Sequence, residues 1–182
     1  MILFLYFFVA YAFGCLNGAY YIGKLFFKQD IRALGSKNAG ARNIGRLFGR
    51  IAFLSVIAID TLKTIVPLLF AIHILGLDNL ALYFIAIGIM IGHLYPVQLN
   101  GHGGKGIVVY LACVLVFSPT LLLIVGVLIG ISKLCGIKTT SSAPIAFILL
   151  PFLFLYKSTI DYAFLFFILT GIILFVYKKE RT

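Results

Sequence analysis

The chain has 182 residues, of which 63% are hydrophobic and only 11% are charged. This balance excludes a disordered chain and an ordinary water-soluble fold, because too few polar side chains are present to cover a globule. The net charge of +10 would suit nucleic acid, but no basic helix or aromatic RNA-reading motif accompanies it, so we expect no nucleic-acid partner. The composition predicts a single all-α, polytopic membrane domain over residues 1–182.

Seven apolar segments are candidate membrane-spanning helices, and four of them are long enough for the roughly 20 residues, or 17 when short, that a span needs. The N-terminal stretch Met1–Phe13 lacks the basic residues and the cleavage site of a signal peptide, so we expect it to remain as a helix. Ser118-Pro119 divides the stretch 107–135 into two short helices, because proline cannot continue a helix. The run 143–156 is short, which leaves six spans as an alternative to seven. The segments are 2–26, 51–75, 80–98, 107–117, 120–135, 143–156 and 159–177.

The lysines and arginines predict how these helices are oriented. With seven spans, all of the 15 cationic residues except Lys63 and Lys157 fall on one side of the membrane. Because lysine and arginine accumulate in cytoplasmic loops, this side is predicted to be cytoplasmic and the N-terminus external. The three cysteines lie in apolar runs without metal-ligand spacing, so we expect neither a disulfide framework nor a metal or other cofactor.

The first cytoplasmic loop combines small residues, side-chain amides and cations, with no acid after Asp30. Small residues let backbone N–H groups approach an anion closely, and the arginine fork matches phosphate oxygens. We favour a phosphate cradle over an anchor for lipid head groups, because an anchor explains the arginines but not the glycines and asparagines. The candidate site residues are Gly35, Ser36, Asn38, Gly40, Asn43 and Arg46.

A second glycine-rich segment, Gly101-His102-Gly103-Gly104-Lys105-Gly106, leads directly into the apolar run from Ile107. We expect its unpaired N–H groups and the positive end of the helix dipole to face an anion, with Lys105 adding a point charge. It is not a Walker loop, because Leu99 and Gly106 stand where that loop needs Gly and Ser or Thr. Nucleoside triphosphate hydrolysis is therefore disfavoured. A flexible interfacial turn is the alternative interpretation.

Further polar residues lie inside or beside the predicted spans. Asp60 and Lys63 are three residues apart on one helix face, so they can pair. A lone cation inside a span costs about 2.5–3.5 kcal/mol, which predicts a polar cavity between helices around Lys63. The alternative is a self-neutralising pair that only fixes helix orientation. His93 ends the third span as either a proton carrier or a hydrogen-bonded helix terminus, and the polar turn 139–142 either donates hydroxyls or caps a helix.

His73 and Asp78 match the His-x4-Asp spacing of coenzyme A-dependent glycerolipid acyltransferases, in which the histidine is the base. Both fall in the external turn after the second span, away from every cluster of cations. We therefore interpret this match as chance.

Taken in order, these motifs resemble the bacterial membrane glycerol-3-phosphate acyltransferases of the PlsY family, from Gly14 to about Ser142. The family's first loop reads approximately GSGNxGAxNxxR, its second helix carries D-x-x-K, and a later segment reads GHxFPxxxxxxGGKG. The matching residues here are Gly35, Ser36, Asn38, Gly40, Ala41, Asn43 and Arg46; Asp60 and Lys63; and Gly92, His93, Tyr95, Pro96, Gly103, Gly104, Lys105 and Gly106. The family's serine-containing loop falls on Thr139 to Ser142.

This resemblance implies a seven-helix enzyme of the bacterial plasma membrane whose active site faces the cytoplasm. Acyl phosphate would acylate position 1 of glycerol 3-phosphate, giving lysophosphatidic acid. Ser36, Arg46 and Lys105 would bind and polarise the phosphates, the glycine-loop amides would hold acyl phosphate, and Ser141 and Ser142 would line the substrate site. Because acyl phosphate is already activated, positioning and charge stabilisation could supply most of the acceleration. Either the acceptor's own phosphate or His93 would remove the hydroxyl proton.

Departures from the family pattern leave alternatives open. The family's C-terminal RHxxNIxRLxxGxE segment has no counterpart, so the final cations either replace its charges or mark a paralogue with another acceptor or lower activity. Lys37 and Gly101-His102 add or move charge, which we expect to shift substrate preference. A transporter or scramblase for phosphorylated metabolites or lipids and a non-catalytic lipid-binding paralogue are the other classes. The short external loops, which carry few polar residues, favour the enzyme.

Overall fold

A computed structural model describes residues 1–136, 139–156 and 160–179; the side chains of residues 139–144 and 179 lie outside this description. Within these ranges every regular element is helical, which confirms the predicted all-α class. The α-helices are α1 Ile2–Gly14, α2 Gly18–Phe26, α3 Ala41–His73, α4 Asn79–Leu94, α5 Ile107–Phe117, α6 Pro119–Leu134, α7 Thr139–Tyr156 and α8 Ile160–Lys179.

The helices have the length and surface of an integral membrane protein. Four described segments are long and apolar enough to cross a bilayer: Ile2–Phe26, Ala41–His73, Asn79–Leu99 and Ile160–Lys178. Shorter apolar helices occupy Ile107–Phe117, Pro119–Leu134 and Ile145–Tyr156. Large hydrophobic side chains are exposed along these helices, for example Ile51 at 83% and Leu134 at 89%, a surface that suits lipid and not water.

The first predicted span is not one continuous helix. α1 ends at Gly14, and α2 begins at Gly18 with Asn17 as its N-cap. The side-chain oxygen of Asn17 accepts a hydrogen bond from the N–H of Tyr20 at 2.8 Å, which satisfies one of the unpaired amides of the new helix. The break leaves carbonyl groups near Gly14 without helical partners, and the buried side chain of Lys63 donates hydrogen bonds to two of them.

α3 is bent at Gly49, where φ is +88° and ψ is −177°. Only glycine adopts this conformation readily, so the residue separates a helical segment at 41–48 from the longer one at 50–73. Gly45, before the bend, lies against the side chain of Phe53 after it. The predicted second span, 51–75, therefore corresponds to the part of α3 beyond the bend.

The chain packs as two compact units, of which the first covers Met1–Cys113 and the second begins at Val114. In the first unit, small residues bring α1 and α4 into backbone contact. A Cβ at Gly88 or Gly92 would collide with the carbonyl of Phe7 or Tyr11, respectively. Both helices advance by four residues between these contacts, so α1 and α4 run parallel.

The second unit is built from α6, α7 and α8, which contact one another in chain order. The rings of Phe154 and Phe166 stack at 4.4 Å between centroids where α7 meets α8. The predicted division at Ser118-Pro119 is confirmed, because α5 ends at Phe117 and Pro119 occupies the first turn of α6.

Candidate active site

Asn43, in the first turn of α3, organises the first loop. Its side-chain oxygen accepts the N–H of Ser36 at 3.0 Å. Its side-chain nitrogen lies 3.2, 3.0 and 3.1 Å from the carbonyl oxygens of Ile31, Leu34 and Asn38, respectively. The side chain is therefore committed to loop backbone, and Asn43 is only 2% exposed. Gly35 adopts a φ of +56°, and a side chain there would collide with the Asn43 oxygen.

Arg32 ties the first loop to the second. It forms a two-pronged ion pair with Asp30, at 3.0 and 2.8 Å, and donates to the carbonyl of Leu99 at 2.9 Å. Its guanidinium also lies 5.0 Å from the ring centroid of Tyr20. These hydrogen bonds lower the pKa of Asp30 below its ordinary value, and Asp30 raises the pKa of Arg32. The pair is thus charged and directs Arg32 toward the second loop.

The backbone amides of two glycines in the second loop are hydrogen-bonded, whereas the sequence predicted that they would be unpaired. The N–H groups of Gly103 and Gly104 donate to the carbonyls of Leu94 and His93, both at 3.1 Å. The expectation that these two amides would be unpaired and face an anion is therefore wrong. The segment folds back on the end of α4, and its glycines allow that close approach: a Cβ at Gly103 would collide with the His93 carbonyl.

α5 begins directly after this loop. The N–H of Tyr110 donates to the carbonyl of Gly106 at 2.8 Å, which is the first hydrogen bond of the helix. The amides of Ile107, Val108 and Val109 precede that bond, so helix geometry gives them no intrahelical acceptor. The positive end of α5 consequently lies next to Lys105, which is partly exposed.

Asp60, Lys63 and His93 form a buried cluster under the loops. Lys63 Nζ lies 2.9 Å from Asp60 Oδ1 and 2.8 Å from His93 Nδ1. It also donates to the carbonyl oxygens of Gly14 at 3.1 Å and Leu16 at 2.7 Å, where α1 and α2 are separated. Asp60, Lys63 and His93 are 1, 5 and 3% exposed. The predicted pairing is confirmed, and Lys63 faces protein groups in the space between helices where a polar cavity was expected.

The two loops meet at one end of the first unit. Asn17 donates to the carbonyl of Ala39 at 3.0 Å, and that carbonyl also lies beside Gly104. The ring of His93 fills the position that a side chain at Gly104 would take. Together with the Arg32–Leu99 bond, these contacts hold the loop that bears Ser36 against the loop that bears Lys105.

The predicted site residues occupy different environments. Ser36 and Arg46 are exposed at the surface of the first loop and the start of α3, whereas Asn43, Asp60, Lys63 and His93 are buried. Gly40 is the N-cap of α3, and a side chain there would meet that of Asn38. Gly106 has a φ of +79° and packs against Met90. The side chains of Ser141 and Ser142 lie outside the described residues.

A cavity of about 360 Å³ lies where the loops meet, lined by Asp30, Arg32, Ala33, Lys37 and His102. Lys37 and His102, two of the departures from the family pattern, thus line the same cavity. Asp78 caps α4 by accepting the N–H of Ala81 at 2.9 Å, a structural role that agrees with dismissing the His73–Asp78 match.

Two site-forming residues had no role in the sequence prediction. Asn17, fully buried, and Arg32 both connect elements that are distant in the chain. A polar amide between Gly14 and Gly18 in an apolar run was a signal of a helix break, and Asp30-x-Arg32 was a signal of a local ion pair. The Leu99 carbonyl that Arg32 reaches had no sequence signal.

The packed helices define an integral membrane protein, and comparisons identify its family. A family model described as glycerol-3-phosphate acyltransferase matches residues 4–182. The glycerol-3-phosphate acyltransferase of Thermoanaerobacter pseudethanolicus is 36% identical over 150 residues, covering 80% of this chain and 74% of the relative. That of Staphylococcus carnosus is 39% identical over 123 residues, covering 64% of this chain and 61% of the relative.

Solved structures agree with this relationship. The crystal structure of PlsY (YgiH), an integral membrane glycerol 3-phosphate acyltransferase, in its glycerol 3-phosphate form superposes with a TM-score of 0.86 at 26% identity. The match covers 99% of this chain and 90% of that one. The lysophosphatidic acid form gives a TM-score of 0.84 at 25% identity. The chain therefore belongs to the glycerol-3-phosphate acyltransferase family.

Proposed function

We propose that this protein transfers an acyl group from acyl phosphate to the 1-hydroxyl of glycerol 3-phosphate, giving lysophosphatidic acid and phosphate. The observation that carries the proposal is the packing of two cation-bearing loops at one end of apolar helices, with the Ala39 carbonyl against Gly104. Two phosphate-bearing substrates require such a concentration of positive charge, and the acyl chain requires access from lipid. Family membership supports the same reaction.

The reaction requires little covalent chemistry from the protein. The acceptor hydroxyl oxygen attacks the acyl carbonyl carbon, the bond from that carbon to the phosphate-bearing oxygen breaks, and phosphate leaves with the electron pair. The hydroxyl proton passes to the acceptor's own phosphate or to His93. Ser36, Arg46 and Lys105 would bind the phosphates and stabilise the charge that develops on the carbonyl and leaving oxygens. The backbone amides in the first turn of α5, from Ile107 to Val109, would bind the phosphate of the acyl donor. This is the role first expected of the amides of Gly103 and Gly104.

The remaining predicted residues have supporting roles in this proposal. Asn43 holds the Ser36 backbone and does not itself contact substrate, because its polar atoms are committed to the loop. Gly35, Asn38 and Gly40 shape the same loop. Ser141 and Ser142 stay candidates for contacts to the acceptor. The positive-inside distribution of cations supports a cytoplasmic site in the plasma membrane, with substrate arriving from the cytosol.

A donor-swap assay tests the reaction. Purified protein is mixed with labelled glycerol 3-phosphate and with acyl phosphate, acyl coenzyme A or acyl carrier protein, and lysophosphatidic acid is quantified. We expect product with acyl phosphate alone. Product from a thioester donor, or no product from any donor, would contradict the proposal. Movement of labelled substrate into vesicles without acylation would instead favour the carrier.

Substitutions locate the proposed charge stabilisation. Lys105→Ala and Arg46→Ala should each lose about 2–4 kcal/mol of transition-state stabilisation, or roughly 30- to 900-fold in kcat/KM, as when an oxyanion donor is deleted. Arg50→Ala, an exposed cation beyond the bend of α3, is the matched control and should retain normal rates. Normal rates in both site variants would remove Arg46 and Lys105 from the site.

A further inference from the structure

The cavity where the two loops meet is lined mostly by ionisable side chains. Its lining consists of Asp30, Arg32, Ala33, Lys37 and His102. The guanidinium of Arg32 binds both carboxylate oxygens of Asp30, at 3.0 and 2.8 Å, so this pair contributes no net charge. The ammonium of Lys37 therefore gives the cavity a net positive charge, and His102 adds an imidazole that can donate a hydrogen bond.

Lys37 and His102 are available to a ligand. Both residues are exposed. Within the part of the chain that the structure describes, neither side chain forms a hydrogen bond or an ion pair. Arg32 differs, because Asp30 and the Leu99 carbonyl bind its guanidinium. An anion that enters the cavity consequently meets an uncompensated positive charge at Lys37.

The backbone of Lys37 has a conformation that is unfavourable for a lysine. Its φ is +58°, a region that glycine adopts freely and other residues adopt rarely. The family's first loop has glycine at this position. Hydrogen bonds hold the segment in place, since the Lys37 N–H donates to the Leu34 carbonyl at 2.9 Å and the Ser36 N–H donates to Asn43. Backbone strain of this kind collects at binding sites, which agrees with a ligand for the Lys37 ammonium.

The other wall of the cavity is tied to the first through one carbonyl group. The His102 N–H donates to the Leu99 carbonyl at 3.1 Å, and Arg32 donates to the same oxygen at 2.9 Å. Asn100 and Gly101, with φ values of +53° and +73°, form the turn that brings His102 back to this carbonyl. The two walls therefore keep a fixed spacing before any ligand binds.

We propose that Lys37 and His102 form an outer subsite that binds a phosphate dianion. Lys37 directly follows Ser36, and the subsite therefore borders the proposed catalytic residues. On the second loop, His102 lies three residues before Lys105. An ammonium and a ring N–H are both donors, and phosphate oxygens are strong acceptors.

This inference rests on the proposed acyl transfer, which takes glycerol 3-phosphate from water and returns inorganic phosphate to it. Both molecules carry the same dianionic group. The subsite therefore either captures the acceptor before reaction or holds the leaving phosphate after it. Acyl phosphate reaches the site from lipid and does not need the subsite.

Lys28 provides a matched control for Lys37. It is also an exposed lysine with a positive φ, +56°, but it does not line the cavity. Lys37→Gly and Lys28→Gly therefore remove the same charge and relieve the same backbone conformation. At low salt we expect Lys37→Gly to raise the KM for glycerol 3-phosphate, or the inhibition constant for inorganic phosphate, about three- to tenfold, because one charged contact is lost at a partly screened site. The value of kcat, the KM for acyl phosphate and all constants of Lys28→Gly should stay within about twofold of the wild type.

The two constants distinguish the two sources of phosphate. A raised KM for glycerol 3-phosphate identifies capture of the acceptor, whereas a raised inhibition constant alone identifies the leaving phosphate. If Lys37→Gly changed neither constant, the subsite would be overturned. An equal effect of Lys28→Gly would also overturn it, because general surface charge would then be the cause.

His102 is tested by whether its donor is needed. His102→Gln keeps a side-chain N–H, whereas His102→Leu removes it. We expect His102→Leu to change the same constant as Lys37→Gly, and His102→Gln to stay closer to the wild type. Unchanged constants in His102→Leu would remove this residue and refute the two-residue subsite.

Binding can be measured without the reaction. The ring signals of His102 are followed by NMR in detergent, assigned through His102→Gln, while inorganic phosphate is added at constant pH. Potassium chloride at matched ionic strength is the control. We expect phosphate, and not chloride, to shift the signal in the wild type and in Lys105→Ala, whereas Lys37→Gly should require more phosphate for the same shift.

This measurement separates failure of the subsite from failure of the proposed reaction. If the wild type makes no lysophosphatidic acid, the reaction is wrong, yet the response of His102 to phosphate still tests the subsite. An active wild type in which neither phosphate nor glycerol 3-phosphate shifts the His102 signal would overturn the subsite alone.

Discussion

Replacement of Asn43 tests whether the first loop is built as the structure indicates. The amide accepts one hydrogen bond, from the Ser36 N–H, and its nitrogen serves the carbonyls of Ile31, Leu34 and Asn38. The nitrogen has two protons for three acceptors, so about three full hydrogen bonds are formed. Asn43→Ala removes all of them. Asn43→Asp is nearly isosteric, but it turns a carboxylate oxygen toward three carbonyl oxygens.

The expected loss follows from these contacts. At about 1 kcal/mol of net stabilisation for each buried hydrogen bond, Asn43→Ala should weaken the ordered loop by about 3 kcal/mol. Since 1.4 kcal/mol corresponds to a tenfold change in an equilibrium, the ordered fraction falls by about two orders of magnitude relative to the disordered one. Asn43→Asp should be worse, because it adds repulsion to the lost donors.

The measurement is kcat/KM for acyl transfer, together with the unfolding temperature in detergent. Arg42→Ala, at the exposed neighbouring position, is the control and should change stability little. If Asn43→Asp matched the wild type in both measurements, the amide donors would be unnecessary and the loop organisation described here would be refuted.

Three further outcomes are expected. The side chains of the Arg32–Asp30 ion pair are about one-quarter exposed, so the pair stabilises the fold by about 1 kcal/mol at most. The pKa of Asp30 is lower in the folded protein than in the unfolded chain. The stabilisation from the pair is therefore present above about pH 4 and is lost as the pH falls through the lowered pKa. The difference in unfolding temperature between wild type and Arg32→Gln should therefore be constant from pH 5 to 8 and shrink below about pH 4. Gly92→Ala should separate α1 from α4 and cost about 1–3 kcal/mol in thermal unfolding, whereas Gly126→Ala, whose added methyl meets open space among the described residues, should be neutral or stabilising. His73→Ala should leave acyl transfer unchanged, and an inactive variant would reinstate the dismissed dyad.

Much of the fold could be predicted because lipid imposes simple requirements on sequence. Long apolar segments predicted the helices, and Ser118-Pro119 correctly placed the boundary between α5 and α6. The spacing of Asp60 and Lys63 correctly predicted their pairing, since residues three apart share a helix face. Helix position and pairing within one helix depend on residues close together in the chain, and such residues determine hydrophobic periodicity and motif spacing.

The tertiary partners of the polar residues could not be predicted in the same way. Lys63 binds carbonyls 47 and 49 residues earlier in the chain, and Asn17 binds one 22 residues later. Backbone carbonyls are present at every position, so no residue type marks the one that will be used. Hydropathy likewise treated 2–26 as one span, because a single asparagine barely alters the mean of an apolar run.

The glycines of the second loop show that packing can require a sequence motif even where the motif does not establish the function. Gly103 and Gly104 were expected to expose amides to an anion, but those amides bind the end of α4, and the missing side chains make room for His93. A paralogue that had lost acyl transfer would still need both glycines and His93 to close this loop. Their presence therefore supports the fold, whereas the exposed residues Ser36 and Arg46 have no comparable packing constraint. Activity of their variants, and not the presence of the glycine motif, distinguishes an acyltransferase from a lipid-binding relative.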